Sequence, residues 1–128
     1  MFENLPNQYI VIDPQRLIVA ATDSFLAATG KQRNDILGRD ILVTFPDNPN
    51  DPTANGTTVL RQSIERVLAT RETDILPIQR YDMELPDGSY EERYWQPLNA
   101  PVSDSNGDIR YVLHGAEDVT AQVLANQD

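Results

Sequence analysis

Cysteine is absent from this 128-residue chain. That absence excludes disulfides, thiolate catalysis, iron–sulfur clusters and cysteine-ligated zinc. Histidine is nearly absent too: His114 is the only one, too few for the usual multi-histidine metal sites. Positive charge is scarce, with 10 lysines and arginines against 20 aspartates and glutamates, a formal charge of −10. A surplus of that sign opposes nucleic acid and anionic membrane surfaces, which both require a positive patch, and it reads as a solubility feature. No run is long and apolar enough to span a bilayer, and the first residues lack the basic and apolar segments of a signal peptide. A cytoplasmic domain without membrane insertion is therefore the expectation. Internal repeats and low-complexity tracts are also missing. The length suits one domain that buries a core without staples. Asn55-Gly56-Thr57 fits a glycosylation sequon, but without secretion it is a chance match.

What is present is organised around the stretch from Tyr81 to Thr120. Tyr81–Leu85 alternates apolar and acidic residues, and Pro86-Asp87-Gly88-Ser89 supplies a turn that tolerates positive φ. Tyr90–Val102 is a second extended run, with Pro97 and Pro101 expected where an amide would face away from a partner, or at a bulge. Asp104-Ser105-Asn106-Gly107-Asp108 is another turn, followed by a third run, Ile109–Ala116. Earlier, Tyr9–Asp13 and Leu17–Ala21 read as a hairpin around Asp13-Pro14-Gln15-Arg16. Thr22 or Asp23 can cap a short helix that buries Phe25 and Leu26 and stops at Gly30. Arg33–Leu37 suits one further turn, closed by Gly38. After the proline-rich loop 46–52, Thr57 or Thr58 is expected to cap the longest helix. Val59, Leu60, Ile64, Val67 and Leu68 mark its inner face, and Arg66 and Arg71 suit its C-terminal dipole. The order is two strands, short helices, one longer helix, three strands and an emerging helix. That is an α+β fold: one antiparallel sheet with helices on one face.

These residues together resemble a PAS domain over essentially the whole chain. The opening hairpin, the helix-glycine-helix-glycine run from Phe25-Leu26-Ala27-Ala28-Thr29-Gly30 to Ile36-Leu37-Gly38-Arg39, and the turn Pro101-Val102-Ser103-Asp104-Ser105-Asn106-Gly107 carry the likeness. Asp118-Val119-Thr120 resembles the Asp-Ile-Thr signature that ends the family's last strand. Two departures stand out: Thr22-Asp23-Ser24, where many members carry asparagine, and the long loop at Pro46–Pro52. The resemblance implies a five-stranded antiparallel sheet of order 2-1-5-4-3, with short helices and one longer helix enclosing a cavity. It implies a single PAS-like domain over residues 1–120, with 121–128 starting an output or linker helix that is cut from something longer. It further implies a non-catalytic sensory or dimerisation module of a bacterial signalling protein, such as a sensor histidine kinase or cyclic-dinucleotide enzyme. The partners so implied are a second copy of the chain, a neighbouring kinase or output domain, and a small-molecule ligand. Haem is disfavoured, because haem-binding members place their ligand on the long helix, which has no histidine here. Cysteinyl-flavin photochemistry is closed by the missing cysteine.

Candidate cavity residues are Phe45, Leu60, Ile64, Tyr81, Met83, Tyr94, Leu98, Val112 and His114, on helix periodicity and strand alternation. For His114 the preferred reading is a hydrogen-bonded core histidine, since buried polar groups are normally satisfied without being functional. Asp118, Val119 and Thr120 form the expected signal output. Trp95 has the opposite parity to Tyr94 and is expected on the open sheet face, as an interaction surface. No catalytic residue and no metal site are assigned. The acidic stretches 47–51 and 104–108 read as turns, because neither presents the ligand set of a calcium loop. The rival reading is a small α+β cone-fold enzyme using His114 with Asp82 or Asp118 as an acid–base pair. A purely structural interaction scaffold is the third.

Overall fold

The computed structural model describes residues 2–126. Its elements are strands β1 (Tyr9–Ile12) and β2 (Ile18–Ala21), short helices α1 (Asp23–Thr29), α2 (Arg33–Ile36) and α3 (Ile41–Thr44), and the long helix α4 (Gly56–Thr70). There follow β3 (Asp74–Ile75), β4 (Gln79–Arg80), β5 (Met83–Glu84), β6 (Tyr90–Glu91), β7 (Tyr94–Ser103), β8 (Ile109–Asp118) and α5 (Thr120–Ala125). The main sheet runs β2-β1-β8-β7-β3, with β4 also pairing β7, and every pairing is antiparallel. With β3 and β4 taken as one interrupted edge strand, this is the expected order 2-1-5-4-3. The α+β architecture stands.

The sequence reading misplaces that edge. Tyr81–Leu85 alternates like a sheet strand, but only Met83–Glu84 is paired there, with Tyr90–Glu91, in a separate two-stranded hairpin. The turn at residues 86–89 closes this hairpin, with Gly88 at φ 86°. The sheet edge instead comes from 74–80, overlapping Glu72–Pro77, which the sequence suggests as a linker between the long helix and the three strands. Proline 77 has no amide to donate and interrupts it, so two dipeptides carry the pairing. Between them the Leu76 amide still donates to the Pro97 carbonyl at 3.1 Å. Alternation marks a strand but does not name its partner.

Local chemistry explains the helices. Thr22 is the N-cap of α1: its Oγ accepts from the Phe25 amide at 3.2 Å and the Tyr9 amide at 3.1 Å, and donates to the Asn7 carbonyl at 2.7 Å. One fully buried hydroxyl thus ties the helix start to β1. Gly30 at φ 70° ends α1, and Asp40 caps α3 through the Leu42 amide. Helix α4 is not capped by Thr57 or Thr58. Asn55 holds the cap position without a side-chain bond, and Asp47 reaches across to accept from the Thr57 amide at 3.1 Å and the Thr57 hydroxyl at 2.9 Å. At its other end Arg71, at φ 61°, stops the helix in the left-handed region, and its guanidinium donates to the Gly107 carbonyl.

The core lies between the helices and one sheet face. Ile10, Ile12, Ile18 and Ala21 of the first hairpin meet Val112 and Ala116 of β8, and Ile64 and Val67 of α4, all buried. On the opposite face Tyr9 and Leu98 close over Gly115, where a Cβ would stand 3.0 Å from the Tyr9 ring and 3.3 Å from Leu98 Cγ. No helix among the described residues is long and apolar enough to cross a membrane.

Thr22→Val keeps shape and removes the hydroxyl, leaving the Tyr9 and Phe25 amides and the Asn7 carbonyl without it. The expected cost is about 2 kcal/mol, read as a lower denaturant midpoint at unchanged slope.

Candidate functional site

A mostly apolar cavity of about 90 Å³ lies between the helices and the inner sheet face. Its helical wall is Phe25 and Thr29 of α1, Ile41 of α3, the following Phe45, and Gly56, Thr57 and Leu60 of α4. Phe25 and Phe45 meet edge to face, centroids 5.6 Å apart, and Lys31 Nζ lies 5.7 Å from the Phe45 centroid. Opposite stand Leu76, Gln79, Tyr81 and Met83, then Trp95, Pro97, His114 and Ala116 of the two long strands. Among the described residues no aspartate, glutamate, lysine or arginine lines it. Gly56 is required by close approach: a Cβ there would meet Tyr81 Cδ1 at 2.8 Å. The Tyr81 ring is fixed by its hydroxyl, which donates to the Pro46 carbonyl at 2.6 Å, and burial raises its pKa above the ordinary phenol value.

Of the residues proposed from sequence, Phe45, Leu60, Tyr81, Met83 and His114 line the cavity, while Ile64 and Val112 are buried in the core outside it. Tyr94 and Leu98 do not reach it. Strand β7 alternates as expected, but the inward parity is Trp95, Pro97 and Asn99. Leu98 packs over Gly115 on the other face, and the Tyr94 hydroxyl donates to Glu92. Trp95 is correspondingly not an open-face residue. It is 5 % exposed, lines the cavity, and its Nε1–H donates to the Tyr81 carbonyl at 2.8 Å. Both parities of β7 carry apolar side chains, so hydrophobicity alone does not choose between them. The polar partners do.

Those partners form a run that the sequence reading did not assemble. His114 Nδ1 lies 2.8 Å from Asn99 Oδ1, Asn99 Nδ2 donates to Ser63 Oγ at 2.9 Å, and Ser63 Oγ donates to Asp74 Oδ2 at 2.6 Å. Arg66 Nη2 closes it on Asp74 at 2.8 Å. The direction follows from chemistry. An ionised carboxylate only accepts, so the single Ser63 proton goes to Asp74 and Ser63 accepts from the Asn99 amide nitrogen. The Asn99 oxygen therefore faces His114, and Nδ1 carries the imidazole proton. The hydrogen bond from Ser63, then that from Arg66, holds the Asp74 carboxyl below its ordinary range. Ser63 had a legible signal, three residues after Leu60 and four before Val67 on the apolar stripe of α4. Asn99 had only its parity with Trp95.

Buried without an ionic partner, His114 has its pKa pushed down to about 4 by desolvation, so its imidazole is neutral. It forms no pair with an aspartate, which removes the geometric basis of the acid–base reading. Asp82 is engaged by Arg80 at 2.9 Å and Asn48 at 3.0 Å, and Asp118 by Arg93 at 2.8 Å. The acidic stretches have their side chains engaged by the chain itself: Asp47 accepts from Thr57, Asn48 donates to Asp82, Asp51 accepts from Thr53, and Asp104 from the Asn106 and Asp108 amides.

The residues proposed for output sit where β8 leaves the sheet. Asp118 Oδ1 accepts from the Thr120 amide at 3.0 Å, Thr120 Oγ accepts from the Tyr94 amide at 2.9 Å, and the Val119 amide donates to the Tyr94 carbonyl at 2.9 Å. Burial works against the Asp118 charge, but the bonds from Thr120 and the Arg93 cation outweigh it, and its carboxyl stays below the ordinary range. Helix α5 starts there; residues 127–128 of the expected output helix lie outside the described residues.

An interrupted five-position antiparallel sheet around a helix-covered apolar cavity defines a small cavity-forming α+β domain. The profile of a family described as PAS fold matches residues 2–124, and the chain belongs to that family. Solved structures share the fold at low identity. A sensory box sensor histidine kinase from Vibrio cholerae aligns at TM-score 0.64 and 18% identity, over 93% of this chain and 86% of that one. The PAS domain of the fruit-fly ELK potassium channel gives 0.64 and 18%, over 89% and 87%. An RNA-binding Light-Oxygen-Voltage receptor gives 0.72 and 21%, over 98% of this chain but 32% of its own length. Comparison with curated proteins gives no match.

The sign of the His114 shift fixes a pH prediction. Between about 6.5 and about 4 the unfolded chain binds a proton that the folded chain does not, so stability is complete above that window and falls as pH drops through it. Urea unfolding across the window should show a loss approaching roughly 3 kcal/mol that His114→Gln flattens. The lowered carboxylates Asp74, Asp82 and Asp118 lose their contributions only below the ordinary aspartate value of 3.8, a separate window.

Proposed function

We propose that this domain is a non-catalytic sensory and dimerising module of a cytoplasmic signalling protein. Its cavity takes a small molecule, and occupancy is relayed through β8 to the helix that begins at Thr120. The observation carrying this reading is that one strand holds both ends of the path. His114 lines the cavity, and Asp118 starts the hinge on the same strand, roughly 13 Å further along at the usual rise per residue. Strand β7 is registered against it over nearly its whole length, from Trp95–Asp118 to Ser103–Ile109. A displacement at the cavity would therefore move the strand pair rather than one side chain. The partners in this reading are a second copy of the chain and a neighbouring kinase or other output domain.

The small cavity volume favours a second reading, an interaction scaffold whose interior is nearly filled. Native mass spectrometry of freshly purified protein separates them. A retained small molecule supports the sensor. A clean apo mass with no thermal shift across a metabolite panel supports the scaffold. Sedimentation velocity addresses dimerisation.

For the relay, Asp118→Ala removes the cap on the Thr120 amide and the Arg93 pair. Hydrogen exchange at Val123 and Leu124 should speed up by about fivefold, corresponding to roughly 1 kcal/mol of local stability, while the Trp95 indole resonance in the cavity stays in place. Unchanged exchange in α5 would count against the hinge.

A further inference from the structure

The polar atoms around the cavity have almost all been used by the chain itself. The Thr29 hydroxyl donates to the Phe25 carbonyl, the Thr57 hydroxyl to Asp47, the Tyr81 hydroxyl to the Pro46 carbonyl, and the Trp95 indole to the Tyr81 carbonyl. The Gln79 amide is only half-buried, and water can complete it. His114 differs. Its side chain is more than nine-tenths buried and lines the cavity, yet with Nδ1 donating to Asn99 its other nitrogen, Nε2, has no partner among the described residues. That atom carries a lone pair and no proton.

We infer that His114 Nε2 is the recognition atom of the cavity, and that the ligand class is a small, neutral, largely apolar molecule presenting one N–H or O–H donor to it. The inference rests on the cavity-binding reading above and narrows it. Four observations set the class. Among the described residues the lining carries no charged side chain, so an anion or cation would be desolvated without compensation. The fully buried protons of the lining are already spent, so a molecule with only acceptors finds no buried donor. The Asn99–Ser63–Asp74 run holds the imidazole in the tautomer that offers Nε2 as acceptor. The volume sets the size: an apolar cavity of about 150 Å³ takes benzene, so 90 Å³ corresponds to roughly four non-hydrogen atoms, with a five-membered ring as the upper limit. An isostere lacking the donor would leave Nε2 without that bond and bind more weakly by about the net value of one hydrogen bond.

Pyrrole and furan test this directly. Both are flat, neutral five-membered rings of equal size, and only pyrrole carries an N–H. Because the chain has one histidine, protein labelled with ¹⁵N-histidine gives a single pair of imidazole signals. Titration of the intact wild-type chain with each probe follows that pair together with the Trp95 indole N–H. Pyrrole is expected to bind about five- to tenfold more tightly than furan and to shift Nε2 in the direction of an acceptor gaining a hydrogen bond, leaving Nδ1 protonated. His114→Gln should lower the pyrrole-to-furan ratio; if that variant does not fold, the wild-type Nε2 signal decides alone. Equal binding of the two probes, moving Trp95 but not Nε2, would overturn the donor assignment while leaving a ligand-binding cavity intact. Neither probe moving either signal would overturn both this inference and the cavity-binding reading.

Discussion

The hydrogen-bonded run from His114 through Asn99 and Ser63 to Asp74 is the constraint on which the arrangement of the interior depends. It joins four elements: the central strand β8, its neighbour β7, the long helix α4 and the edge strand β3. Asn99 and Ser63 are fully buried, so each must find partners inside the chain. A helix packed on a sheet by apolar contacts alone can slide at little cost, since methyl groups accept many neighbours. Two buried polar side chains bonded to each other, and through His114 and Asp74 to two further strands, cannot. Withdrawing one leaves the other desolvated and short of a partner, a penalty of roughly 1–3 kcal/mol per orphaned group.

That constraint also sets which side of β7 faces inward. Once Asn99 must meet His114 directly across the strand pair, Pro97 and Trp95 follow on the same side, and Tyr94 and Leu98 are turned out. Trp95 inside needs a carbonyl for its indole N–H and takes that of Tyr81, which holds the segment before the small hairpin against the cavity. Tyr81 in turn stands against the glycine that begins α4 and reaches the Pro46 carbonyl. The proline-rich loop is thereby drawn into the cavity wall, and Asp47 from the same loop caps the helix.

The sequence was informative where one residue type has one physical use. Glycines at 30, 88 and 107 occupy positive φ at the ends and turns read from their spacing, and Thr22 caps the helix it precedes. The inner face of α4 was legible because its apolar residues recur at the period of the helix, whereas β1 was legible only as a continuous apolar run. The failures fall where two patterns were equally good. β7 has apolar residues on both parities, and Tyr81–Leu85 alternates as well as any sheet strand, although its partner is a local hairpin. The edge strand was missed because Pro77 cuts it into pieces too short to show alternation. The network residues were missed because serine and asparagine are ordinarily solvated; their burial becomes visible only when helix and strand are superposed.

Strand β8 then has two unlike ends. Around His114 it is central in the sheet, paired on both sides, with Ile10 across from it on β1 and Asn99 on β7. Near Asp118 the β1 pairing has ended, and the chain is held by side chains: Gln8 on the Asp118 amide, Arg93 on its carboxylate, Thr120 on the backbone of Tyr94. Side-chain bonds at half-exposed positions are individually weak and exchange with water, whereas a two-sided ladder opens only with the fold. In the proposed relay, strain introduced at the stiff end has one soft place to relax, the start of α5. The size of any such response is bounded by the difference in ligand affinity between the two hinge states. With a single buried acceptor contributing the polar part of that affinity, a change of about tenfold in hinge population is what one hydrogen bond can supply.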